Sequence, residues 1–107
     1  HPGFIYAYDI ARHHHERYDG RGYPDGLRGD EIPIWSQAVA LADCYDALVN
    51  DRVYKKAYSF DEAREMILSG QCGAFGPTAL AAFRVAEPAM KELYIQKEME
   101  NDGQDIS

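Results

Sequence analysis

His13-His14-His15-Glu16-Arg17-Tyr18-Asp19-Gly20-Arg21-Gly22-Tyr23-Pro24 is the stretch on which the reading of this chain turns. It joins a run of imidazoles to a carboxylate-bearing loop with two glycines and ends in Tyr-Pro. Imidazoles bind divalent metals, glycines let backbone approach a phosphate closely, and a tyrosine ring can stack on a base. Upstream, Phe4, Ala7, Tyr8 and Ala11 lead into His14 and His15 at helical spacing, which predicts a first helix from Phe4 to about Arg17. Downstream, Asp19-Gly20, Tyr23-Pro24-Asp25-Gly26 and Ile32-Pro33 punctuate an irregular loop from Tyr18 to Trp35. Loops of that length in a small domain are functional or disordered, and the anchors Tyr23, Leu27, Ile32, Ile34 and Trp35 favour function.

The remaining elements are helical as well. Ser36 is positioned to N-cap a second helix running to about Asn50. Ser59-Phe60-Asp61-Glu62 reads as a capping box that opens a third helix, which should stop at Gly70. Gly76-Pro77 opens a fourth, with Ala79, Ala82, Phe83, Ala86, Met90, Leu93 and Tyr94 as its apolar face and Pro88 expected to kink or break it. The fold class is therefore all-α: a partial helical bundle with a long Gly/Pro-rich loop between its first and second helices.

At 107 residues the chain suits one small domain. Its net charge of −7 argues against binding a DNA or RNA duplex, which needs a basic face. Glu98, Glu100, Asp102 and Asp105 concentrate that acidity in residues 96–107, expected to be a frayed tail following a domain over residues 1–95. No apolar run is long enough to span a bilayer. Cys44 and Cys72 lack metal-ligand spacing, and free thiols in a reducing compartment, the cytoplasm, are the expectation. The opening His-Pro-Gly, without Met, is expected to mark a piece of a longer protein.

Helical phase sorts the histidines. On a first helix running to about Arg17, His14 and His15 extend the apolar stripe toward the core and His13 is expected to face water. A lone inward His is commonly a core residue with a satisfied hydrogen bond. Two adjacent ones are harder to satisfy without a cation, which favours metal ligation. From Ala38 to Val49 the only charged side chains are Asp43 and Asp46, on a helix apolar nearly all round and hence expected to be buried. A carboxylate there needs a metal, an arginine or several donors. For Asp46 the expectation is an ion pair with Arg17, Arg21 or Arg52; for Asp43 it is a hard oxygen ligand beside the nitrogens of His14 and His15. Such a mixed set suits Fe, Mn or Zn better than Mg or Ca.

With Ala42-Asp43-Cys44-Tyr45-Asp46-Ala47-Leu48 in register downstream, the chain resembles the HD-GYP family of metal-dependent cyclic di-GMP phosphodiesterases over roughly residues 10–85. The resemblance implies the C-terminal portion of such a domain, whose complete form is a helical bundle holding two or three divalent metals such as iron or manganese. It implies that His14 and His15 are metal ligands and that Asp43 is a catalytic metal ligand positioning the hydroxide. His1, followed by Pro2, is a further metal candidate. Gly22 and Tyr23 would approach the nucleotide, and Arg52 and Lys55 would hold its phosphate. The family's His-Asp pair occurs nowhere in this chain, so the chain alone is expected to be inactive. Two other functions stay open: an HD-type phosphohydrolase for another nucleotide, and a non-catalytic signalling or interaction module. A partial bundle also leaves an apolar face, which a second copy is expected to cover.

Overall fold

The computed structural model describes the backbone of residues 2–51 and 56–106 and the side chains of residues 3–51 and 56–100. His1, Arg52 and Lys55 lie outside the described residues. Four α-helices follow one another: α1 (Pro2–His13), α2 (Ile34–Val49), α3 (Phe60–Leu68) and α4 (Pro77–Ile106), with one 3₁₀ turn at Gly29–Glu31. The all-α expectation holds. No helix among the described residues is long and apolar enough to cross a membrane.

The centre of the fold is α2, which packs against each of the other three helices. Its Ala40, Leu41, Tyr45 and Leu48 meet Ala63 and Ile67 of α3 and Phe75, Ala79 and Phe83 from the start of α4 and the loop before it. Tyr45 is fully buried, with its ring edge-on to Phe83 at 5.6 Å and its hydroxyl donating to Glu87 at 2.7 Å. Burial and the Glu87 carboxylate together push that phenol above its ordinary range, so it stays a neutral donor.

Local signals held where the partners are close in sequence. The Ser59 hydroxyl accepts from the Glu62 amide at 3.1 Å and the Glu62 carboxylate from the Ser59 amide at 3.3 Å. After Ser69 the chain turns at Gly70 with φ of 84°, a left-handed conformation that needs glycine. Other expectations are corrected. Because Pro33 takes the cap position of α2, Ser36 falls inside the first turn, where its hydroxyl donates to the Asp9 carbonyl at 3.0 Å and ties α2 to α1. Nor does Pro88 break α4: the helix is continuous to Ile106. Arg84 and Pro88 are both exposed, so the Arg84 carbonyl that loses its amide partner can be hydrated. At 30 residues α4 is about 45 Å long, matching the 48 Å long axis of the molecule.

The second helix is not buried all round. Ala38, Ala42, Asp43, Asp46 and Ala47 are exposed, and an apolar groove between α2 and α4 runs past Ala38, Ala42, Ala82, Ala86 and Met90. Asp46 pairs with no arginine among the described residues. Its carboxylate instead accepts the Tyr94 hydroxyl at 2.6 Å and the Asn50 amide at 3.0 Å. Desolvation and that contact raise the Tyr94 phenol to about 12. Cys44 and Cys72 are free thiols, and burial pushes Cys44 up, the protonated and unreactive direction.

Candidate metal centre

The geometry of the site starts from where α1 stops. The helix ends at His13, four residues short of the expected Arg17, and residues 14–15 form a turn. The cause lies in Glu16, only 3% exposed. Its carboxylate accepts the Asp25 amide at 3.0 Å and the Leu27 amide at 3.1 Å, so the loop folds back over the helix end. His13 Nδ1 lies 3.2 Å from the same carboxylate and 3.6 Å from Asp25. Arg12 closes the set with a two-pronged bond to Asp25, Nε to Oδ2 at 2.9 Å and Nη2 to Oδ1 at 2.8 Å. Burial alone would raise the Glu16 pKa, but the Asp25 amide, His13 and the Leu27 amide outweigh it and hold the carboxyl below its ordinary range.

His13 therefore does not face water: its side chain is 12% exposed and belongs to the loop anchor. The phase argument failed because it extended a helix through a residue that tertiary contacts had already pulled out of it. His15, expected to point inward, is exposed. His14 is half-buried, and its Nδ1 sits 2.8 Å from the Ile10 carbonyl. A carbonyl can only accept, so Nδ1 carries a proton, which leaves Nε2 as the nitrogen that can face a metal, the arrangement usual in metal-ligating histidines. The two rings lie 3.9 Å apart between centroids, and the Tyr23 ring stacks on His15 at 4.8 Å and 17°. Partial desolvation, His14 and Arg17 lower the His15 pKa, while the Asp43 carboxylate on α2 opposes them. A neutral imidazole is the ligating form.

The fold thus brings His14, His15 and Tyr23 together and puts Asp43 within electrostatic reach of His15. Among the described residues, the donor groups that all lie within 4.8 Å of one another are instead His13, Glu16 and Asp25. That spacing can hold a cation. Both oxygens of each carboxylate already accept N–H donors, however, which makes the trio a brace for the loop in the arrangement seen. The His14–His15 pair, whose His14 Nε2 is not engaged by the Ile10 carbonyl, fits a metal better.

Gly22 has an internal reason to be glycine. A Cβ there would lie 2.3 Å from the His15 carbonyl oxygen and 2.5 Å from the Arg17 amide nitrogen, both backbone atoms that cannot move aside. Gly22→Ala should cost about 2 kcal/mol or more through this overlap, read as a lower midpoint in urea melts. Sequence reasoning missed the roles of Glu16, Arg12, Asp25 and Gln37. Gln37 accepts the Gly76 amide at 2.9 Å and donates to the Ile32 carbonyl at 3.3 Å, joining the loop to the start of α4. Asking where the amides of a Gly/Pro loop find acceptors would have pointed to Glu16.

A family model described as HD domain matches residues 6–78. A "Probable cyclic di-GMP phosphodiesterase" of Vibrio cholerae is 49% identical over 81 residues, covering 76% of this chain and 18% of the relative. The "Cyclic di-GMP phosphodiesterase response regulator RpfG" of Xanthomonas campestris is 47% identical over 73 residues, 68% of this chain and 19% of its own. A "3'3'-cGAMP-specific phosphodiesterase 2" of Vibrio cholerae is 42% identical over 71 residues, 66% of this chain and 14% of its own. The chain spans less than a fifth of the length of these relatives. With the family model covering α1 from residue 6, α2, α3 and the loop that carries Gly22-Tyr23-Pro24, and with relatives named as cyclic di-GMP phosphodiesterases, the chain belongs to the HD domain family, on its HD-GYP branch.

Proposed function

We propose that the protein carrying this chain is a metal-dependent phosphodiesterase of the cytoplasm that opens cyclic di-GMP, with residues 1–95 as the C-terminal portion of the catalytic domain and 96–107 as a tail. The observation that carries this reading is the paired imidazoles of His14 and His15, one with its Nε2 freed by the Ile10 carbonyl and the other stacked on an exposed tyrosine. His14, His15 and Asp43 would hold divalent metal, Fe, Mn or Zn by donor type, with His1 as a further ligand. Metal at such a site supplies an acidified water near neutral pH and a counter-charge for the phosphate.

The chain's own groups do the rest. The Ile10 carbonyl fixes the His14 ring, and the neutral state of His15 keeps its lone pair available. Tyr23 offers a ring face, braced by His15 behind it, against which a nucleotide base can lie. Gly22 acts by letting the loop close on residues 15–17, which sets the position of Tyr23. Arg52 and Lys55 would hold non-bridging phosphate oxygens. Similarity to a 3'3'-cGAMP-specific enzyme favours, as second reading, another cyclic dinucleotide as substrate.

Even with His1, four donors leave a multinuclear site incomplete, so this chain by itself should bind metal without turning over cyclic di-GMP. The test compares it with the full-length protein in manganese or ferrous buffer. Chelator-sensitive turnover by the 107-residue chain would refute the half-site reading. We also expect self-association, because Phe4, Ile5 and Tyr8 on α1 are 77%, 62% and 61% exposed. Light scattering at high concentration should report a dimer or larger; a monomer with a sharp melt contradicts this.

A further inference from the structure

An open cavity of about 440 Å³ lies beside the metal-ligating face, lined by Tyr8, Ala11 and Arg12 of α1 and by His15, Tyr23 and Pro24. Its volume is in the range that holds a base or a nucleoside. Tyr8 and Tyr23 are each 61% exposed, which leaves ring surface of both open to a planar ligand. Among the described residues, the arginine or lysine in this wall is Arg12. Its pairing with Asp25 consumes the side edge of the guanidinium, Nε and Nη2, and fixes the plane of the group. That pairing leaves the end edge, the two N–H groups of Nη1 and the second of Nη2, as a preset two-pronged donor.

Two parallel donors match a guanine, which presents O6 and N7 as adjacent acceptors. An adenine presents N7 beside an amino donor at N6, which would face another donor. We propose that this cavity is a base subsite in which Arg12, held by Asp25, reads the O6/N7 edge of a guanine while Tyr8 and Tyr23 supply ring contacts. Residue 12 is thereby a specificity-determining residue, and the inference rests on the cyclic-dinucleotide reading above. Both cyclic di-GMP and 3'3'-cGAMP, the substrates in the relatives' names, carry a guanine that could enter this subsite, whereas cyclic di-AMP does not.

The test uses the metal-loaded full-length protein. GMP and IMP, which share O6 and N7, should inhibit hydrolysis of cyclic di-GMP alike, and AMP should be about tenfold weaker or worse. Arg12→Gln should raise the KM for cyclic di-GMP by about 10- to 100-fold while changing that for cyclic di-AMP by less than about threefold. Its metal content should not change. Tyr8→Ala should weaken GMP and AMP equally, because stacking ignores base identity. AMP as effective as GMP, or an Arg12→Gln variant losing both substrates in the same proportion, overturns the assignment; the second result would mean that Arg12 serves only to hold the loop. Should Arg12→Gln fail to fold, the order of GMP, IMP and AMP on the unaltered protein decides alone. If no cyclic dinucleotide is hydrolysed, the phosphodiesterase reading fails, and equilibrium binding of GMP against AMP still decides the subsite.

Discussion

Replacing His14 by alanine should strip metal from the full-length protein and lower phosphodiesterase turnover by about a thousandfold or more, a barrier increase of roughly 4 kcal/mol or above. His14 sits where the turn leaves α1, and among the described residues its side chain hydrogen-bonds Ile10 in its own helix, so the fold should survive the change. His15→Ala and Asp43→Ala should behave alike. His13→Ala is the informative contrast. That ring braces Glu16 and Asp25, so its loss should lower stability by about 1–2 kcal/mol and leave metal content intact. Metal content is read by elemental analysis of the purified variants, with circular dichroism confirming helix content. Loss of metal from His13→Ala and retention in His14→Ala would move the site to the His13, Glu16 and Asp25 cluster.

Glu16→Ala should be the most destabilising single change in the loop, by about 3 kcal/mol, since it strands the Asp25 and Leu27 amides and unpairs His13. Glu16→Gln keeps an acceptor and should cost roughly half as much. The carboxyl also sets a pH dependence. Its folded pKa lies below its ordinary value of 4.5, so its contribution is fully present above 4.5 and is lost as pH falls through that value toward the folded one. Wild-type melts should therefore lose stability on acidification below 4.5 more steeply than those of Glu16→Gln. Parallel pH profiles for the two proteins would mean that Glu16 is not the anchor of the loop.

The elements legible in the sequence were those whose determinants are local. The capping box of Ser59 and Glu62 needs only residues three apart, and Gly70 stops its helix by backbone conformation alone. The glycines and prolines between Asp19 and Pro33 announced an irregular loop on residue type. What sequence could not give was decided by distant partners. The end of α1 depends on a buried carboxylate bonded to amides 9 and 11 residues away. The partner of Asp46 is a hydroxyl 48 residues downstream, which no charge pattern suggests. The outer face of α2 reads as buried because alanine counts as apolar, yet Ala38, Ala42 and Ala47 are small enough to stay in water at little cost.

The central claim is chemical. Cyclic di-GMP incubated with the full-length protein carrying bound manganese or iron, and resolved by chromatography, should convert to a linear dinucleotide or to GMP. A chelator should stop the conversion and added metal restore it. Unchanged cyclic di-GMP in the presence of protein with its metals bound would contradict the account.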